Sequence, residues 1–310
     1  MALVGLENNN LKLIIFGGKG GVGKTSCAIA AALALSENFK TLLISTDPAH
    51  SVSDCLEQQI GFHVQEVTGH KNLSAIEVIA EEALSRFKAE HQNALKKLLA
   101  TSTNLDNDDI DEMLSLSIPG IDEVMSFKTI IDFIEEGKYD KYVVDTAPTG
   151  HALRLISSPK LLDDWIKVAA RMRWKYRYMI TSFSGTYHQD DVDTFLLNLK
   201  KTVKRIENLL KDKNKCQFIP VCIPEAMAIM ETSRLLKDLS NAEIIPQQII
   251  VNHVMISEEG AFCKQKKAAQ FKYIKEITET FSDLNRIEIP EFAEEIKGQN
   301  ALNQLKNCLF

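Results

Sequence analysis

A run of glycine and lysine, GGKGGVGKT, carries the clearest chemistry in this chain. Gly18 to Thr25 fit the spacing G-x-x-x-x-G-K-[ST], in which backbone N–H groups surround phosphate oxygens at the start of a helix. We expect Lys24 to reach the β- and γ-phosphates of a nucleotide and the Thr25 hydroxyl to bind Mg²⁺. The residues predicted to form this phosphate loop are Gly17, Gly18, Lys19, Gly20, Gly21, Val22, Gly23, Lys24 and Thr25.

The loop holds a second lysine, Lys19, which an ordinary phosphate loop does not need. Beside the phosphates of its own site it would partly duplicate Lys24. At an interface between two copies it could reach the phosphates of the facing subunit and neutralise charge in the transition state. Lys19 therefore predicts a homodimer with nucleotide between its subunits.

Two acidic motifs follow predicted strands, STDPAHSVSD from Ser45 to Asp54 and DTAPTGHALRL from Asp145 to Leu155. Carboxylates at the carboxyl ends of parallel strands flank the crevice where ligands bind. We expect Asp47 to orient and polarise the attacking water, and Asp145 to hold a water on Mg²⁺.

The elements that must position these residues alternate between short apolar runs and helical patterns. The predicted strands are Leu11 to Phe16, Thr41 to Ser45, Tyr142 to Val144, Phe218 to Ile223 and Ile249 to Val251. A helix from Thr25 to Ser36 follows the first strand through the glycine loop. This alternation predicts an α/β fold, a doubly wound and mainly parallel sheet covered by helices.

Two intervals are too long for simple crossovers, residues 72–117 and 159–215. The first contains a predicted helical stretch from Leu73 to Leu99 and then a polar acidic segment, TSTNLDNDDIDEM, typical of a loop. We expect one nucleotide-binding domain over residues 1–310, with a helical subdomain built from these two insertions.

Composition excludes several classes of protein. The chain has 310 residues, 45% of them hydrophobic, and a formal net charge of −6. It can therefore bury a large core, and its acidity argues against nucleic-acid binding by charge. Six scattered cysteines form no C-x-x-C pair, and no secretion signal or long apolar span is visible, so we predict a cytoplasmic protein.

Together the motifs resemble the family of the arsenite-pump ATPase ArsA and the targeting ATPase of the guided-entry pathway for tail-anchored membrane proteins. Besides the three motifs above, the resemblance rests on SIPGIDE (117–123), VCIPE (221–225), IIVNHV (249–254) and IPEFAEEIKG (289–298), which occur in the family's order. It implies a P-loop ATPase with a deviant Walker A motif that uses ATP and Mg²⁺ and works as a homodimer. Position by position it implies that Glu225 and Asn252 contact the nucleoside, the latter through adenine, and that Pro290 packs against the base.

Two departures from the family matter. Ser51 stands where the family often has Asn, which shortens a side chain beside Asp47 and predicts altered hydrolysis. The zinc-binding C-x-x-C of many targeting members is reduced to Cys263 and Lys266, and two thiolates per dimer are too few for a tetrahedral zinc site. The chain also has no Cys between Cys55 and Cys216, which weakens the arsenite reading because As(III) needs soft thiolates.

Three functions stay open at this point: targeting of tail-anchored proteins, energising an arsenite pump, or ATP-gated binding with little turnover. For targeting, the partner is the hydrophobic transmembrane segment of a client, together with a membrane receptor or pump that would bring the protein to a membrane surface. Candidate groove residues, which core packing would explain equally well, are Met113, Leu114, Leu116, Met125, Met172, Met179, Phe183, Phe195 and Leu196.

Overall fold

The computed structural model describes residues 2–49, 51–102, 121–146 and 190–310, together with 160, 162–164, 166–171, 173, 174, 178 and 182. Its strands are β1 (Leu13–Gly17), β2 (Thr41–Ser45), β3 (Gln65–Val67), β4 (His70–Glu77), β5 (Lys141–Asp145), β6 (Cys216–Cys222), β7 (Gln248–Val254) and β8 (Asn285–Pro290). Its helices are α1 (Lys24–Leu35), α2 (Ser51–Leu56), α3 (Ala80–Glu90), α4 (Gln92–Ser102), α5 (Ile121–Glu136), α6 (Asp191–Lys211), α7 (Ala226–Asn241), α8 (Gly260–Thr280) and α9 (Gly298–Leu309).

The strands form one sheet in the order β3-β4-β2-β5-β1-β6-β7-β8. Every neighbouring pair is parallel except β3 and β4, which pair antiparallel. Strand β1 lies between β5 and β6, so the chain builds outward from a central strand in both directions. The predicted mainly parallel, doubly wound α/β fold is confirmed.

Helices cover both faces of this sheet. Alternate side chains of one strand point to opposite faces, and in β7 Ile250 joins one apolar cluster while Ile249 and Val251 join another. The first cluster includes buried residues of α1 and α9, and the second includes buried residues of α7 and α8. Both faces of the central strands are therefore dry, which explains their continuous apolar runs.

The predicted helical stretch from Leu73 to Leu99 is wrong in its first part, because Leu73 to Glu77 belong to β4. Leu73 and Ala75 are fully buried beside β2, and this short buried run has no period that separates strand from helix. Helix begins only at Ala80. Strands β3 and β8 were not predicted at all.

The described chain divides into two compact units. The first unit is Met1–Ile79, Asp132–Leu153 and Leu209–Phe310, and it holds the sheet; the second unit is Ala80–Ile131 and Arg154–Asn208. Much of the predicted helical subdomain, including the acidic segment after Ser102, lies outside the described residues, so its bounds stay a prediction. Among the helices that the structure describes, none is long and apolar enough to cross a membrane.

The second unit has an apolar core of its own, and three of the candidate groove residues lie in it. Met125 is 2% exposed, and Phe195 and Leu196 are each 6% exposed. These three side chains therefore pack internally, while the remaining candidates, Met113, Leu114, Leu116, Met172, Met179 and Phe183, lie outside the described residues.

Candidate functional site

The predicted site residues of the first unit lie along one edge of the sheet. Parallel strands place their carboxyl ends on the same edge, and Gly17, Asp145 and Pro290 each end a strand there. Asp47 follows the end of β2, and Asn252 lies near the end of β7. This is the edge at which sheets of this class bind ligands.

The loop between β1 and α1 depends on glycine at two close approaches. Gly23 has φ 88°, and a Cβ there would lie 2.3 Å from Nδ2 of Asn252. A Cβ on Gly18 would lie 2.2 Å from the carbonyl oxygen of Val221 in β6. Any side chain at these positions would push the loop away from Asn252 and Val221. Glycine therefore allows the compact loop conformation that can surround an anion.

Lys24 opens helix α1 and is only 5% exposed. Its Nζ donates a hydrogen bond to the carbonyl of Lys19, 3.2 Å away across the loop. Burial lowers the pKa of Lys24, and the charges of Asp145 and Asp47 oppose this shift. A buried ammonium held over a glycine loop is suited to binding phosphate, because an anionic ligand would replace the water it has lost.

Asp145 is fully buried at the end of β5 and accepts two side-chain hydrogen bonds on one oxygen. Thr25 Oγ1 donates to Asp145 Oδ2 at 2.9 Å, and Ser45 Oγ donates to the same oxygen at 3.4 Å. Burial raises the pKa of Asp145 to about 7, although the Thr25 hydrogen bond and the Lys24 charge act in the opposite direction.

The second oxygen of this carboxylate, Asp145 Oδ1, is buried and has no hydrogen-bond partner within the part of the chain that the structure describes. An orphaned buried oxygen beside a threonine hydroxyl fits a hydrated Mg²⁺, which prefers oxygen ligands and keeps several waters. Thr25 and Asp145 thus fit the metal role that the sequence predicts.

Asp47 is linked to Asp145 through Ser45. The Asp47 backbone N–H donates to Ser45 Oγ at 3.2 Å, and its Oδ1 accepts a hydrogen bond from the backbone N–H of Ala49 at 3.0 Å. Ser51, the first residue of α2, lies with its Oγ 3.3 Å from Thr25 Oγ1. The motif after β2 and the phosphate loop are therefore in direct contact.

The three predicted nucleoside residues lie near the carboxyl ends of β6, β7 and β8, on the other side of β1. Asn252 is 2% exposed and donates from Nδ2 to the carbonyl of Val22 at 2.9 Å. Glu225 is exposed immediately before α7, and Pro290 ends β8, where the next residue donates its N–H to Val254 O at 2.9 Å. Of these three, only Asn252 has a contact with the phosphate loop among the described interactions.

The cysteine positions of the predicted departure from the family lie on α8. Cys263 is half-buried, and Lys266 pairs with Glu291, their Nζ and Oε1 atoms lying 3.0 Å apart. Within the described ranges no group of three or more His, Cys, Asp or Glu side chains is arranged to hold a metal ion. All six cysteines of the chain are free thiols.

Ser45 also shapes this site, because its Oγ donates to Asp145 Oδ2, and it is not among the site residues that the sequence predicts. Its position at the end of an apolar strand, as the first residue of STDPAHSVSD, is the signal that could identify it. Lys19 is half-buried in the loop, and its predicted action on a facing subunit stays a prediction.

Comparison with known proteins gives one consistent result. A family model described as anion-transporting ATPase matches residues 11–310. A Paramecium tetraurelia protein named ATPase ASNA1 homolog 1 is 34% identical over 314 residues, which cover 98% of this chain and 94% of that protein. A Pyrenophora tritici-repentis protein named ATPase get3 is 31% identical over 319 residues, with 98% and 92% coverage.

Proposed function

Because this chain belongs to the anion-transporting ATPase family, we propose that it couples ATP binding and hydrolysis to the capture and targeting of tail-anchored membrane proteins. It is an ATP hydrolase of that family. The observation that carries the chemical part is the hydrogen bond from Thr25 to the buried Asp145 at the start of α1, next to the buried Lys24. The targeting part is supported by the similarity to relatives named for ASNA1 and Get3.

In this proposal the backbone N–H groups of Gly17 to Thr25 surround the phosphates, and Lys24 binds the β- and γ-phosphate oxygens. An anion at this point would also satisfy the positive end of helix α1. The negative charge would relieve the cost of keeping Lys24 charged while buried. Binding therefore favours the protonated lysine, and that lysine stabilises the charge spread over the transferred group.

Hydrolysis needs a water aligned with the bond that breaks. Asp47 lies on a turn whose backbone is tied to Ser45, and its carboxylate is partly exposed. We assign to it the orientation and polarisation of the attacking water, with water adding to phosphorus as the bond to ADP breaks. The products are ADP and inorganic phosphate.

Thr25 and Asp145 would hold magnesium, the threonine directly and the aspartate through a water. When bound, the ion neutralises charge on the β- and γ-phosphates. Because Thr25 Oγ1 donates its proton to Asp145 Oδ2, its hydrogen bond with Ser51 Oγ uses one lone pair, and the other stays available for a cation. Asp145 would bind as a carboxylate, and the positive charge would lower the raised pKa of that group.

The base would lie against Glu225, Asn252 and Pro290. An amide carries two N–H donors and one acceptor, and Asn252 uses one donor on Val22 O. Its remaining donor and acceptor match the complementary pattern of adenine. We therefore assign adenine recognition to Asn252, with Pro290 as an apolar contact to the ring.

The working form in this proposal is a homodimer in the cytoplasm, with Lys19 acting across the interface. The client is an apolar transmembrane segment, and a membrane receptor or pump is the further partner. A transmembrane helix released from a ribosome exposes about 20 apolar residues, so a carrier that shields it prevents aggregation.

Copurification tests the proposal. Wild-type protein and the Lys24→Ala variant would be expressed with a tail-anchored protein, and with a matched client whose terminal apolar helix is replaced by a polar segment. We expect the wild type alone to hydrolyse ATP and to capture only the apolar client. Stimulation of hydrolysis by arsenite without client capture would overturn the targeting role, and turnover equal to the Lys24→Ala blank would overturn hydrolysis.

A further inference from the structure

Strand β7 is irregular at the point where it reaches the phosphate loop. Its parallel pairing with β8 runs from Gln248 with Asn285 to Val251 with Glu288, and then shifts, so that Val254 pairs with Pro290. From one pair to the next, β7 advances three residues, from Val251 to Val254, whereas β8 advances two, from Glu288 to Pro290. This is a β-bulge, in which one extra residue leaves the ladder and the strand bends.

The bulge puts His253 at φ 58°, in the left-handed region that side chains other than glycine rarely adopt. Backbone groups at a bulge lose their partners in the neighbouring strand. Such a conformation persists only where surrounding groups hold it. Here the side chain of Gln270 bonds to the backbone at the bulge.

Gln270, on helix α8, makes hydrogen bonds to the backbone on either side of Val254, at the end of the bulge. Its Nε2 donates to the carbonyl of His253 at 2.8 Å, and its Oε1 accepts from the backbone N–H of Met255 at 2.8 Å. Gln270 is only 7% exposed. A buried primary amide that satisfies one donor and one acceptor two residues apart fixes both the position and the direction of the backbone between them.

A weaker contact supports the same junction. Glu291, after β8, lies with its Oε2 3.2 Å from Nδ1 of His253 and its Oε1 3.0 Å from Nζ of Lys266 on α8. Lys266 and Glu291 are both partly exposed, so solvent screens the charges of that pair. The Gln270 amide is therefore the main link between α8 and the bulge.

The residue before the bulge is Asn252, which contacts the phosphate loop. Its Nδ2 donates to Val22 O at 2.9 Å and lies against the bare Cα of Gly23. The direction of the Asn252 side chain follows from the backbone of residues 252–254. A change in the bulge would thus move the amide that contacts both the loop and, in the function proposed above, the base.

We propose that Gln270 is a positioning residue for nucleotide binding, which acts through Asn252 by holding the β7 bulge. The proposal rests on the proposed ATP site. It places a determinant of nucleotide affinity on a helix that contributes no predicted site residue. Without the Gln270 amide, the bulge would lose its two hydrogen bonds and Asn252 would sample orientations that bind neither Val22 nor adenine.

The test compares Gln270→Met with Asn252→Ala and with the double variant, using the dissociation constants of Mg·ATP and Mg·GTP for the full chain. Methionine keeps the buried volume and removes both hydrogen bonds. We expect about tenfold weaker ATP binding and a smaller preference for ATP over GTP in Gln270→Met. In the Asn252→Ala background the same substitution should add less than about twofold, since residues acting as one unit are not additive.

Gln265→Met, at an exposed position of the same helix, is the matched control and should bind ATP like the wild type. If Gln270→Met does not fold, Gln270→Glu keeps the acceptor for Met255 and loses the donor to His253, and should show the same loss of ATP preference. Full additivity with Asn252→Ala, or an unchanged ATP to GTP ratio in a folded variant, would overturn the proposal. Failure of the wild type itself to bind ATP would instead overturn the proposed function.

Discussion

The two sides of the phosphate loop are built in different ways. On the phosphate side, Thr25, Ser45 and Asp145 each lie within one residue of the end of a central strand or the start of α1, and Thr25 and Ser45 both donate hydrogen bonds to Asp145. On the base side, Asn252 depends on an irregular strand that a residue of α8 holds in place. In the proposed site, phosphate binding would thus be a local property of strand ends, whereas base binding would depend on tertiary packing.

The largest effect should come from Asp47, on the phosphate side. Asp47→Asn keeps the shape of the side chain but removes the negative charge that polarises the attacking water. We expect kcat to fall about 1000-fold, while the dissociation constant for ATP changes less than about twofold. Single-turnover hydrolysis and equilibrium binding measure the two quantities.

Asp54→Asn is the matched control, since Asp54 is an exposed carboxylate on the same segment. It should leave both quantities unchanged. If Asp47→Asn lowers kcat less than about tenfold, the hydrolytic role belongs to another residue, and the phosphate side is less local than we infer.

A substitution on the base side should have a smaller effect, and it should weaken ATP binding rather than slow hydrolysis. Asn252→Ala removes the hydrogen bond to Val22 O and the proposed contacts with adenine. We expect about tenfold weaker ATP binding with kcat at saturation within about threefold of the wild type. A fall in kcat at saturating ATP equal to the fall in kcat/KM would place Asn252 with the catalytic residues and remove the contrast between the two sides.

These two sides also differ in what the sequence could predict. The phosphate-side candidates could be named from the sequence because they lie in contiguous motifs next to strong apolar strands, and the structure brings Asp145 and Thr25 into contact. Gln270 could not be predicted, because nothing in the sequence around a glutamine of a lysine-rich helix shows which groups it will contact. Strand β4 was mistaken for helix since a short buried run such as Leu73 to Glu77 suits either structure.

Burial of Asp145 predicts a dependence of stability on pH in the protein free of nucleotide and metal. The folded pKa of about 7 lies above the ordinary value of 3.8, so the folded state binds more protons between these values. Stability from this group therefore falls as pH rises from about 4 to 7, and the full cost of the buried charge is present above pH 7. Asp145→Asn should remove that cost.

At each pH, in EDTA, the melting temperature of the wild type is subtracted from that of Asp145→Asn. This difference should be about 2–4 °C larger at pH 8 than at pH 5. Thermal unfolding at the two pH values measures it, and Asp54→Asn again serves as the exposed control. An equal difference at both pH values would mean that Asp145 is already ionised at pH 5, and would contradict the burial argument.

The smallest effect should come from Ser51, which lies beside Thr25 rather than on the reacting atoms. Ser51→Asn lengthens the side chain and introduces the residue that the family often has here. We expect kcat to rise about twofold to threefold, because the longer amide reaches further toward the γ-phosphate. Ser51→Ala, which only removes the hydroxyl, should not raise kcat; a rise in both variants would show that the serine itself restrains turnover.

The extra residue in β7 has a consequence for how this edge of the protein tolerates insertions and deletions. Removing one residue between Val251 and Val254 would restore a regular ladder with β8 and keep Val254 on the face of Ile249 and Val251, but it would remove the bent backbone whose carbonyl and N–H groups bond to Gln270. The tract from β7 to α8 should therefore accept exchanges of one residue for another far more readily than any change in its length.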